Sequence, residues 1–101
     1  MSAPDNQRSI SPTSIVAATK DQVSSDLAGE TVVLSMQSAM YYGLDGVGSR
    51  VWELVREPVR VSDVVDAISA EYDVEAERCE ADVIAFLRQL VARGLIEIRD
   101  E

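Results

Sequence analysis

A chain of 101 residues and 11.0 kDa has room for one domain with one modest core, and an apolar content of 47% is ordinary for a folded protein. Its net charge of -9 excludes binding that relies on clustered Lys and Arg to displace counterions, so neither nucleic acid nor an anionic membrane surface is an expected partner. The absence of histidine removes the commonest general base, the commonest transition-metal ligand and every Ser-His or Cys-His pair, and the lone Cys79 has no partner for an internal disulfide.

These exclusions leave a non-enzyme as the expectation, with no catalytic residue, no cofactor and no metal. No apolar run approaches the roughly 20 residues that span a bilayer, and the amino end carries neither a basic segment nor an apolar signal core. A cytoplasmic location follows as the expectation.

In chain order, residues 1–12 read as a flexible tail, polar and lacking any apolar period. Ile10, Ile15 and Val16 suit an extended arm laid against the domain, although Pro12 argues against a central strand there. A weak alternation over 22–26 predicts a first strand, and Leu27-Ala28-Gly29-Glu30 a turn with Gly29 at positive φ. Residues 31–36 and 40–44 predict two more strands. Val32, Leu34 and Met36 form the apolar face of one, and Met40, Tyr42 and Leu44 that of the other. The connections are short, so the product is a three-stranded antiparallel meander. Between Ala39 and Leu44 the third strand carries none of the charges or prolines that normally blunt an edge.

At Asp45 the period changes from two to that of a helix. Val47, Val51, Leu54 and Val55 share one face, Asp45 is the expected N-cap, and Pro58 stops the helix. Gly48 permits close packing and Trp52 fills core volume. Ser62 is the expected cap of a second helix bearing Val64, Val65, Ile68 and Tyr72, ending near Asp73. A third helix starts at Asp73 or Glu75, carries Cys79, Val83, Phe86, Leu87, Leu90 and Val91, and stops at a left-handed Gly94. Leu95, Ile96 and Ile98 pack back as a short tail. The third helix is apolar over an arc wider than one neighbour needs, so either one flank lines a groove or the arc packs on two neighbours. The fold class is α+β, an N-terminal three-stranded antiparallel sheet followed by a three-helix bundle with a winged-helix-like plan.

Other chemistries fail on particular residues. Cys79 has no adjacent base and reads as a small core hydrophobe. The acids Glu71, Asp73, Glu75, Glu77, Glu80 and Asp82 lack the ladder and glycine of a calcium loop and read as a solvated helix start. Gly43, Gly46 and Gly48 lack the following glycine and lysine of a phosphate loop. A winged-helix DNA reader is excluded by charge, since residues 45–101 hold seven arginines against fourteen acids. An open strand edge beside a helix favours instead a module that binds peptides by strand addition.

Tyr41-Tyr42-Gly43-Leu44-Asp45, followed by Val47-Gly48-Ser49-Arg50-Val51-Trp52-Glu53-Leu54, resembles the core of the PqqD-like proteins, small leader-peptide recognition domains and peptide chaperones of ribosomal peptide biosynthesis. Ser62-Asp63-Val64-Val65, Glu71-Tyr72-Asp73-Val74, Cys79-Glu80-Ala81-Asp82-Val83 and Phe86-Leu87-Arg88-Gln89-Leu90, then Gly94-Leu95-Ile96, fall where that family's later helices lie. The resemblance spans about 22–98. Asp45 stands where the family more often has Asn, and both residues cap helices.

The resemblance implies a recognition domain over 13–98, with tails at 1–12 and 99–101, that captures the leader of a precursor peptide as a fourth strand on the third. The binding residues it implies are Ala39, Met40, Tyr41, Tyr42, Gly43 and Leu44, faced by Asp82, Phe86, Gln89 and Arg93 from the third helix, with Arg88 and Arg93 available to acidic leader residues. Tyr41-Tyr42 with Trp52 is most similar to the lasso-peptide subgroup. The implied partners are then a leader peptidase and an ATP-dependent cyclase. A quinone-cofactor pathway with a radical enzyme is the rival within the family, and a small regulator dimerising through the same edge is the rival outside it.

Overall fold

The computed structural model describes residues 10–27 and 30–99. The expected turn at Ala28 and Gly29, most of the expected amino tail and the last two residues lie outside them.

Strand β1 (Ile15–Ala18) is followed by the meander β2 (Gln22–Leu27), β3 (Glu30–Ser35) and β4 (Met40–Asp45), in which β3 lies between its two sequence neighbours. Both pairings are antiparallel, with Val33 opposite both Ser24 and Tyr42. The period expected for β3 is present, but its phase is reversed. Thr31, Val33 and Ser35 are the buried residues, whereas Val32 and Leu34 are half-buried and Met36 is 60% exposed. Small polar side chains occupy the inner face because they are satisfied there. The Thr31 hydroxyl donates to Asp26 Oδ1 at 3.0 Å and also bonds Ser49, and Ser35 Oγ accepts from the Ser38 N–H.

Helix α1 (Gly46–Val55) buries Val51, Trp52 and Val55. Asp45 stands at its N-cap, but the side chain makes no capping bond. After the short strand β5 (Val59–Arg60) comes α2 (Val61–Tyr72), whose N-cap is Arg60 rather than the expected Ser62. The arm does the capping. The carbonyls of Ser14 and Pro12 accept from the N–H groups of Val61 and Ser62 at 2.9 Å each, satisfying donors that a helix start leaves open. At its other end α2 closes on Asp73 in the left-handed region.

Helix α3 (Ala76–Ala92) buries Cys79, Val83, Leu87 and Leu90, and its N-cap is Glu75. It ends in a Schellman arrangement, with Gly94 at φ +74, its N–H bonded to Val91 O and the Leu95 N–H to Leu90 O. The chain then packs back as expected, and the tail forms a strand, β6 (Ile96–Ile98).

The arm is more than an adjunct. β1 is the central strand of a second antiparallel sheet, between β5 and β6. Pro12 does not prevent this, because it precedes the strand. Ile10 and Val16 join the core with Trp52, Leu87, Leu90 and Leu95.

Candidate functional site

The β3–β4 hairpin turns through residues 36–39, with Ala39 left-handed at φ +58 and its N–H donating to Ser35 O at 2.8 Å. That turn sets which backbone groups of β4 are free. Met36 N–H donates to Asp21 O on the β2 side, and backbone groups alternate in direction along a strand. Odd-numbered residues of β3 therefore turn toward β4, consistent with Ser35 O accepting from Ala39. Their partners Met40, Tyr42 and Leu44 bond inward. The N–H and C=O groups of Tyr41 and Gly43 point out of the sheet, along an edge that no other described strand covers.

Beside this edge lies a cleft of about 370 Å³. Gly43, Leu44 and Asp45 of β4 form one side, Asp82, Val83 and Phe86 of α3 the other, and Val47, Gly48 and Val51 of α1 the base, with Ile68 and Cys79. Gly48 keeps this base low, since a Cβ there would sit 3.4 Å from Phe86 Cζ.

On α3, Asp82, Phe86, Gln89 and Arg93 fall within about 60° of one another at ~100° per residue. Asp82 and Phe86 line the cleft, and Arg93 stacks its guanidinium 4.8 Å from the centre of the Tyr42 ring. Gln89 is exposed between them and touches none of the cleft. Arg88 lies roughly 130° around the helix from this stripe and is exposed. One flank of the wide apolar arc thus borders the cleft, while Ile84 and Val91 on other faces pack against the core.

Of the expected edge residues, Ala39 in the turn and Met40, Tyr41 and Gly43 in β4 are exposed, Tyr41 by 71%; Tyr42 is half-buried and Leu44 is buried. The sequence reading missed Asp45, Val47, Val51 and Ile68 as cleft residues. The helical spacing of Val47, Val51 and Ile68 marked packing faces and Asp45 read as a cap, and the cleft between α3 and β4 leaves part of those faces uncovered.

Cys79 sits in the cleft lining but is 2% exposed. Its Sγ donates to Val65 O at 3.6 Å. Burial first, then the negative charges of Asp82 and Asp66, push its thiol above the ordinary value, so it stays protonated and unreactive. Among the described residues, no three His, Cys, Asp or Glu side chains come together to hold a metal, and no helix is long and apolar enough to cross a membrane.

A family model described as coenzyme PQQ synthesis protein D matches residues 30–96. A solved structure described as TbiB1 in complex with the TbiA(beta) leader peptide is 40% identical, with a TM-score of 0.77 over 84% of this chain and 99% of that one. A second, described as lasso peptide synthetase B1 complexed with the leader peptide, is 20% identical with a TM-score of 0.72, over 80% of this chain and 95% of that one, and shares the fold. Among curated proteins none matches.

Proposed function

The chain belongs to the PqqD family, and from that premise we propose that it is a non-catalytic, cytoplasmic leader-peptide-binding protein of lasso-peptide biosynthesis. Its recognition domain, residues 13–98, takes the precursor leader as an added strand along Ala39, Met40, Tyr41, Tyr42, Gly43 and Leu44. Asp82, Phe86, Gln89 and Arg93 face the guest from α3. The captured leader is then presented to a leader peptidase and an ATP-dependent cyclase.

One observation carries this reading: the outward N–H and C=O groups of Tyr41 and Gly43 form an open edge whose Gly43 end borders an apolar cleft that can seat side chains of the strand they recruit. The likeness to TbiB1, which binds a leader peptide, supports it. Two or three apolar anchors at about 1.5–3 kcal/mol each and edge bonds at about 0.5–1.5 each, less about 2–5 kcal/mol for ordering the peptide, give a specific but reversible complex.

Fluorescence anisotropy tests the reading with two labelled probes, the TbiA(beta) leader and the leader of the precursor encoded beside this chain's gene. Saturable binding in the low-micromolar to nanomolar range is expected of at least one. Absence of binding to both, with a concentration-dependent dimer in its place, would favour the regulator.

A further inference from the structure

The groove between β4 and α3 is electrically polar along its length. From Asp82 to Arg93 is eleven residues, or about 16 Å of helix at ~1.5 Å per residue. At the Arg93 end a guanidinium lies over Tyr42 with its charge still exposed. At the other end two carboxylate residues, Asp45 from β4 and Asp82 from α3, border the same apolar cleft from opposite sides.

Among the described residues, neither carboxylate is held firmly by another group. Asp45 makes no capping bond to α1. Asp82 has Arg78 one turn back at 4.0 Å, with both side chains about three-quarters exposed, a pairing that contributes little in water. The charge is felt inside the cleft as well, because Asp82 helps to raise the thiol of Cys79 in its lining. Beside the two carboxylates the cleft is lined by apolar residues: Leu44, Val47, Gly48, Val51 and Phe86.

Resting on the leader reading above, we propose that the bound leader places a Lys or Arg between Asp45 and Asp82, its stem on the apolar lining and its cation at the two carboxylates, so that charge selects the leader's register and direction on β4. A long cationic side chain suits such a site because its methylenes bury while its head stays paired and wet. A glutamate at the same position meets two like charges in a partly desolvated cleft. The open edge alone accepts a strand in several registers and in either direction, since backbone pairing carries no sequence information. The unequal ends of the groove supply what pairing lacks.

The test is a peptide array built on whichever leader probe binds tighter, each position replaced in turn by Lys, Glu and Gln. It is read with the full-length chain and with the Asp45→Asn/Asp82→Asn double variant, at low and high salt. The expected result is one position preferring Lys over Glu by about ten-fold at low salt, with the preference falling to about two-fold or less in the double variant and at high salt. Circular dichroism confirms that the double variant is folded. If both proteins bind with the same charge preferences at every position, the inference is overturned while the leader reading stands. If the unaltered chain binds no peptide on the array, the leader reading fails and takes the inference with it.

Discussion

Proline at Tyr41 separates the backbone edge from everything else near it. Tyr41 is 71% exposed and its N–H points away from β3, so proline removes an outward donor while leaving the inward bonds of Met40 and Tyr42 in place. The cost to stability is the loss of the Tyr41–Leu34 cross-strand pair, about 0.2–1 kcal/mol, or a fall in melting temperature of a few degrees at ~4–8 °C per kcal/mol. The cost to binding is one edge hydrogen bond, about 0.5–1.5 kcal/mol, plus the exclusion of the guest backbone by the ring. Together these make a loss of about ten-fold or more at ~1.4 kcal/mol per decade. Tyr41→Val is the control, because it deletes the same side chain and keeps the N–H. The measurements are leader anisotropy and thermal melts of both variants. Equal leader affinity for Tyr41→Pro and Tyr41→Val would refute strand addition at this edge.

Three further outcomes are expected. Gly48→Ala puts a methyl 3.4 Å from Phe86 Cζ and 3.9 Å from Leu44 Cβ, both ordinary contacts. It should gain up to about 1 kcal/mol of helix stability, whereas Gly48→Leu should fill the cleft and weaken leader binding in a chain that still melts cooperatively. Leu87→Ala empties a fully buried site and should cost about 2–5 kcal/mol in urea unfolding. The third concerns pH. Arg50 hydrogen-bonds Glu71 through two nitrogens and holds its carboxyl below the ordinary glutamate value. A carboxyl lowered in the folded state lends stability above its unfolded value, and that stability is lost as the pH falls through the folded one. Glu71→Gln should therefore flatten the acid limb of the stability profile slightly, the pair being solvent-exposed.

The meander, the three helices and their order were legible because each rests on a local signal. These signals are alternation over 31–36 and 40–44, the change of period at Asp45, Pro58, and Gly94 at a left-handed stop. What was not legible depended on partners distant in sequence. Thr31 reads as a polar outward residue until Asp26 and Ser49 are beside it, which is why the phase of β3 came out reversed. Ser62 reads as a cap until Ser14 and Pro12 supply carbonyls from 47 to 50 residues away. In the candidate site, Asp82, Phe86 and Arg93 came from the family resemblance, and helical spacing puts them on one stripe of α3. Asp45, Val47 and Val51 were missed, because spacing distinguishes buried from exposed faces and says nothing of a gap between two elements that never close on each other.

The second sheet makes the first described strand and the last one immediate neighbours, since β1 lies hydrogen-bonded against β6. Entry and exit therefore share one doorway, in a different sheet from the β4 rim. A domain plumbed in this way can be spliced into a host polypeptide through that doorway, much as a cartridge slots into a housing, without rerouting the surface that receives its cargo.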